Sequence, residues 1–274
     1  MKDFSNRVVY ITGGSMGIGL AVARAFARRG AHLLLFARRE EALKKAVDEV
    51  RSCVRSAGQR IGYRTMDVGN HEEVCRIAAG AAEGFGPPDV LINNAGIGYP
   101  RYFEDIPYAQ FDATIKTNLY GTWNMISALL PFMKERGGYI VNVSSIIGFL
   151  GVFGYADYAA SKFAVMGLSE VLQSELKRYG ISLSVLCPPD TDTPGFKDEN
   201  LTKPPETWAL SENAKVLTAD QVAEALLRGM RKRQYLIIPG LEGRFILWAK
   251  RFIPSLVNFV MDRQIRGAAH HTDK

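Results

Sequence analysis

Seven short apolar runs, each followed by a stretch of helical periodicity, constrain this chain more than any other feature. Val8–Thr12, His32–Ala37, Ile61–Met66, Val90–Asn93, Tyr139–Val143, Ser182–Cys187 and Tyr235–Ile238 have the length of strands. Ile18–Arg29, Glu41–Ser56, Glu72–Gly84, Phe111–Arg136, Tyr158–Tyr179 and Ala219–Arg231 have the length and spacing of helices. Continuous apolar strands are buried on both faces, and a helical crossover returns the chain parallel to the strand before it. The order therefore predicts an α/β fold with a seven-stranded parallel sheet and helices on both faces. No internal repeat or low-complexity linker divides the 274 residues, 47% of which are hydrophobic, so one domain over residues 1–240 is expected.

Two segments break the rhythm. Thr193–Ser211 is rich in proline and polar residues and carries Phe196, Leu201, Trp208 and Leu210. It reads as a lid or substrate loop, within a loop spanning about 189–215, rather than a core element. Residues 241–274 form an apolar and basic C-terminal extension. Gly137–Ala156 holds no charged residue and is long enough to span a bilayer, but its glycines, Asn142, Ser144 and Ser145 fit a buried strand and loop better.

The first apolar run ends in Thr12-Gly13-Gly14-Ser15-Met16-Gly17-Ile18-Gly19, and a helix follows at once. Glycines let a backbone turn sharply and approach a pyrophosphate, which the helix N-terminus then faces. This strand, turn and helix suit a Rossmann-like dinucleotide site containing Gly13, Ser15, Gly17, Ile18 and Gly19. The second run ends in Arg38-Arg39, where an acidic residue would hold the ribose 2′-hydroxyl of NAD. Two arginines suit a 2′-phosphate instead, so the expected cofactor is NADPH/NADP+; the alternative is that both are solvated at a helix start.

Tyr158 and Lys162 lie four apart on an expected helix and share a face. A nearby ammonium stabilises phenolate and moves the tyrosine from its usual value near 10 towards neutrality, making it a proton donor to a carbonyl or acceptor from a hydroxyl. Tyr155 lacks such a partner, because Ala159 stands four residues after it. Ser145 closes a buried strand, where its hydroxyl can stabilise charge on a reacting oxygen.

With these motifs in place, the chain resembles the short-chain dehydrogenase/reductase family over about residues 5 to 240. The family's Thr-Gly-x-x-x-Gly-x-Gly matches Thr12 to Gly19, its Asn-Asn-Ala-Gly matches Asn93 to Gly96, and its Asp-Val matches Asp67-Val68. The resemblance implies a catalytic set of Asn118, Ser145, Tyr158 and Lys162. It implies a water relay at Asn118, ribose contacts from Tyr158 and Lys162, an adenine contact at Asp67 and Val68, and adenosine-side support from Asn94, Ala95 and Gly96. Pro188-Pro189 departs from the family's Pro-Gly, while Thr193, with Thr191 beside it, keeps the frame of a carboxamide-binding threonine.

The stretch Pro188 to Phe196, continuing through Glu199 to Thr207, resembles the 3-ketodihydrosphingosine (3-ketosphinganine) reductases, which reduce a long-chain 2-amino-3-ketone. That resemblance implies a lipid ketone substrate, with Asp190, Asp192, Phe196 and Trp208 in the substrate loop. Asp190 or Asp192 would attract the substrate ammonium, or would cap a helix or turn. Other readings are a reductase of 3-ketoacyl thioesters, steroids or other lipids, and a non-catalytic NADP-binding scaffold, against which the intact catalytic set argues.

The extension mixes Phe245, Trp248, Phe252 and Phe259 with Arg244, Lys250, Arg251, Arg263 and Arg266. It suits a helix lying in a membrane interface, or equally an apolar face packed on the domain or a second subunit. The net charge of +6 fits a phosphorylated cofactor or acidic membrane surface. Nucleic acid is not expected, since no zinc-finger spacing or RNA-binding aromatic motif accompanies the charge. Three scattered cysteines (Cys53, Cys75 and Cys187) fit reduced thiols, and the polar Met1–Arg7 lacks a signal-peptide pattern, so a cytoplasmic location, peripheral to a membrane, is expected. The four histidines and three cysteines have no metal-ligand spacing, so no metal is expected. The family resemblance also implies a homo-oligomer formed through the helices before and after the fifth strand.

Overall fold

A computed structural model describes residues 3–212 and 214–272; Met1, Lys2, and the side chains of His270 and His271 lie outside the described residues. The strands β1 (Val8–Thr12), β2 (His32–Ala37), β3 (Ile61–Thr65), β4 (Val90–Asn93), β5 (Gly138–Val143) and β6 (Ile181–Leu186) alternate with helices. With β9 (Leu236–Ile237) they form one seven-stranded sheet of order β3-β2-β1-β4-β5-β6-β9, every pair parallel. All seven strands fall on the seven apolar runs.

The two-residue period of a strand divides those runs between two cores. Val9, Ile11, Leu33, Leu35, Val90, Ile92, Tyr139 and Val141 face α1 (Gly17–Ala27), α2 (Glu40–Arg51) and α9 (Ala219–Arg231). Tyr10, Leu34, Phe36, Leu91, Ile140, Leu183 and Val185 face the other way, towards α3 (His71–Gly84) and α5 (Gly121–Met133). Opposite them on that side runs α6 (Ala156–Glu175), which packs along β6. The order reverses between β1 and β4, and the crevice beyond that reversal is where such sheets bind ligands.

Two expectations change. The long helix over Phe111–Arg136 is interrupted: α4 (Tyr108–Ile115) passes through a π turn at Lys116–Tyr120 before α5. The extra residue of a π turn shifts the helix phase, a device common at functional sites, and Asn118 sits in it. The stretch Thr193–Ser211 is not a loop but two short helices, α7 (Pro194–Asn200) and α8 (Pro205–Ser211), each with proline in its first turn. Proline there reads as a helix start, because the missing N–H has no partner to lose. A small parallel pair, β7 (Thr191–Asp192) with β8 (Leu217–Thr218), closes the base of this lid.

The extension forms α10 (Glu242–Phe252) and α11 (Pro254–Thr272), broken at Pro254, and α11 packs against α8. Among the described residues no helix is long and apolar enough to cross a membrane.

Candidate active site

A cleft of about 470 Å³ lies over the carboxyl ends of β1, β2 and β4. Gly13, Ser15, Gly17 and Ile18 line one wall, Arg38 and Arg39 one end, and Asp67, Val68, Asn94, Ala95 and Gly96 the facing wall. Gly13 and Gly17 have φ of 63° and 56°, a region that favours glycine. A Cβ on Gly19 would stand 2.6 Å from Asn94 Nδ2, so the third glycine serves close packing rather than lining the cleft.

The N-terminus of α1 has neither a side-chain cap nor an acidic residue in its first turn. Its orphan N–H groups thus face the cleft as an anion site. Arg39 lies over the same turn, with Nη2 3.7 Å from Met16 Sδ. A bare helix N-terminus, glycines at close approach and two arginines at the rim fit a dinucleotide phosphate backbone.

Asn94 locks the turn from below. Its Nδ2 donates to Thr12 O (3.0 Å) and Gly13 O (3.2 Å), while Thr12 Oγ1 accepts from the Asn94 and Ala95 N–H groups. Thr193 lines the cleft and caps α7, its Oγ1 accepting from Phe196 N at 3.1 Å. Thr191 does not line the cleft; it is buried and donates to Pro189 O at 2.7 Å, which corrects its expected cofactor contact.

Tyr158 and Lys162 rise from the first turns of α6 into this cleft, and Ser145 caps the turn after β5. Ser145 Oγ accepts from Ile147 N at 3.1 Å, which leaves its own proton to donate outward. Lys162 is buried, and its Nζ donates to Val143 O at 2.9 Å. Burial lowers its pKa from 10.5 to about 8. The Nζ sits 5.5 Å from the centroid of the Tyr158 ring.

From the protein's own groups alone, burial raises the Tyr158 pKa, Glu199 and Asp190 add to the rise, and Ser145 opposes it. Desolvation of the phenolate is the largest contribution to that rise. The Asn118 side chain makes three hydrogen bonds of its own. Oδ1 accepts from Ile97 N, and Nδ2 donates to Ile97 O and Ser161 Oγ, all at 2.9 Å. The side chain is thereby committed to fixing the loop after β4. A Cβ on Gly96 would lie 3.3 Å from both Asn118 Oδ1 and Lys162 Nζ, so only glycine keeps that passage open.

Three functional side chains carry no sequence signal of their own. Tyr155, without a lysine partner, is buried, lies with its ring tilted 53° and 5.7 Å from the Tyr158 ring, and donates to Glu199 Oε2 at 3.0 Å. Burial raises the Glu199 pKa to about 7, against the effects of Tyr155 and Lys203. Lys203 is buried with its ammonium 4.4 Å from the Phe196 ring and 5.0 Å from the Trp208 ring, one aromatic from each lid helix. Trp208 therefore clamps the lid rather than lining a substrate cleft.

The larger cleft, about 870 Å³, begins at Ser145 and Tyr155, passes Asp190 and Lys203, and runs between Leu150, Leu210 and the inner faces of α10 and α11. Its lining is mainly apolar. Asp192, by contrast, is exposed and pairs with Lys197 at 3.5 Å, outside both clefts.

The short chain dehydrogenase family matches residues 7–204. The chain belongs to the short-chain dehydrogenase family. A bovine "3-ketodihydrosphingosine reductase" is 40% identical over 222 residues, covering 80% of this chain and 67% of that one. A mouse "Epidermal retinol dehydrogenase 2" is 34% identical over 281 residues, covering 99% of this chain and 86% of that one. A Burkholderia phymatum short-chain dehydrogenase/reductase, solved with NAD, superposes with a TM-score of 0.81 at 27% identity, covering 93% of this chain and 96% of that one. This short-chain dehydrogenase differs from the bare family motif in its second cleft, whose far wall is built by α10 and α11, beyond the matched residues.

Proposed function

We propose that this enzyme reduces a long-chain lipid ketone to the secondary alcohol with NADPH, the substrate that fits best being 3-ketosphinganine. The observation that carries this reading is the apolar cleft that opens at Ser145 and is walled by α10 and α11. A hydrocarbon tail of sphingoid length gains about 0.8 kcal/mol per buried CH2, so such a wall binds the chain rather than the headgroup. The bovine relative's name supports the headgroup assignment. Arg38 and Arg39 at the cofactor rim support NADPH over NADH.

In this reading a dinucleotide held by Gly13, Ser15, Gly17, Arg38 and Arg39 would supply the hydride chemistry at the carbonyl carbon. Ser145 donates a hydrogen bond to the carbonyl oxygen from the hydroxyl that Ile147 N orients. Tyr158 Oη gives that oxygen its proton. Lys162 stands behind the ring with its ammonium anchored on Val143 O, and stabilises the phenolate left after transfer.

A second reading, a reductase of other long-chain or isoprenoid carbonyls, rests on the mouse relative, whose match extends through α10 and α11. Turnover of 3-ketosphinganine, a retinoid aldehyde and a 3-ketoacyl thioester, each with NADPH and NADH, separates the readings. NADPH-dependent formation of sphinganine is expected, lost by about 100-fold or more in Tyr158→Phe. Preference for NADH, or for either other substrate, overturns the assignment.

The partner at the mouth of the cleft is, in this reading, an anionic bilayer. On the outer face of α10, Trp248 and Phe252 are 51% and 63% exposed with ring centroids 5.8 Å apart, and Phe245, which also lines the cleft, stacks on Trp248 at 5.9 Å. Among residues 241–268 five cations stand against only Glu242 and Asp262, so a second copy of this face would be repelled while anionic headgroups are drawn in. The inner face of the same helices packs on the domain, which joins the two alternatives drawn from the sequence. Self-association belongs elsewhere: Tyr120 and Trp123 on and before α5, with Phe163 and Val171 on α6, are exposed and support a homo-oligomer through those helices.

A further inference from the structure

Pro188 and Pro189 carry the chain from β6 directly past the catalytic serine. Ile146 N donates to Pro188 O at 3.2 Å, and Leu217 N donates to Asp190 O at 2.9 Å, so the backbone on both sides of Asp190 is pinned. Its side chain lines the apolar cleft together with Ser145 and Lys203. The Asp190 carboxylate makes no hydrogen bond or ion pair among the described residues, although burial in an apolar wall penalises its charge. Lys203 weakens that penalty from a distance, but its ammonium is held between Phe196 and Trp208. The cleft thus presents a rigid acceptor with spare capacity, beside the oxygen-binding serine and at the polar head of a hydrocarbon channel.

We propose that Asp190 is the receptor for a positive charge on the carbon next to the reacting carbonyl, so that the enzyme selects a ketone with a free vicinal ammonium. This deepens the proposed function and rests on it. A ligand ammonium at that point also removes an anion from the surroundings of Tyr158, whose proton transfer Asp190 otherwise opposes. Correct substrate therefore improves the acid that acts on it. A substrate whose nitrogen is acylated leaves the carboxylate buried and unpaired, which sites of this kind reject strongly.

The test compares, with NADPH, a 2-amino-3-ketone with its N-acetylated and des-amino counterparts of equal chain length. The wild-type enzyme is expected to favour the free amine, and Asp190→Asn to reduce the ratio of kcat/KM values, amine over des-amino, by about 10- to 100-fold. Asp190→Glu restores part of the ratio, and Asp192→Asn leaves it as in the wild type. A wild-type preference for the acylated or des-amino ketone, or an unchanged ratio in Asp190→Asn, overturns the proposal. If the wild-type protein reduces none of the three ketones, it is the proposed function that fails. The wild-type ratio alone decides the matter should the Asn variant not fold.

Discussion

Lys162 occupies a position that an ammonium resists. It is buried, its one hydrogen bond goes to a neutral carbonyl, and its pKa falls from 10.5 to about 8. Below pH 8 both folded and unfolded chains hold the proton, and folding bears the full penalty of burying a charge. Between pH 8 and 10.5 the folded chain releases the proton that the unfolded chain keeps, so stability rises with pH through that window. The penalty is on the order of 3 kcal/mol. Lys162→Met is therefore expected to abolish turnover yet raise the Tm of the cofactor-free protein at pH 7, and to flatten its pH dependence above 8. A lower Tm, measured by calorimetry, contradicts this. Lys162 and Tyr158 are legible as a pair because their spacing on one helix turn is a local property. Tyr155, Glu199 and Lys203 are not, since each acquires its role from a partner more than 40 residues away or from two aromatics on separate lid helices.

The lid helices are held by bonds that span the chain. Tyr102 Oη donates to Glu206 at 3.0 Å, Thr207 Oγ1 to Phe153 O at 2.8 Å, and Tyr155 Oη to Glu199 at 3.0 Å. Thr207 is buried against Gly154, where a Cβ would lie 2.6 Å from its hydroxyl. Thr207→Val keeps the shape but leaves the Phe153 carbonyl unsatisfied, at about 1–3 kcal/mol. The expected result is a raised KM for the long-chain ketone and faster proteolysis between residues 194 and 211, with little change in cofactor affinity; an unaltered cleavage rate excludes this latch. Strands were legible because an uninterrupted apolar run has few alternatives. The lid reads as a loop in the sequence because proline at a helix start and proline in a loop look alike in composition, and only its partners decide between them. The π turn had no sequence signal at all, since the helical period continues on both sides of it.

At the scale of the molecule, the extension changes what the family fold can reach. Its inner face closes the apolar cleft, while its outer face presents Trp248 and Phe252 among cations. Sedimentation of the full chain with phosphatidylserine-containing vesicles is expected to succeed where phosphatidylcholine vesicles fail, and to weaken about tenfold in Trp248→Ser/Phe252→Ser. Equal binding to both vesicle types, or a change of oligomeric state in that variant, removes the bilayer as partner. Neither half of this arrangement could be separated in the sequence, where the inner and outer apolar residues form one unbroken mixture.

Among the described residues the two clefts share no lining residue: Ser145 and Tyr155 line one, Tyr158 and Lys162 the other, and the Tyr155 and Tyr158 rings stand 5.7 Å apart between them. A water-soluble coenzyme can therefore be exchanged while an alkyl chain stays lodged, and a greasy product can withdraw along the path by which it came.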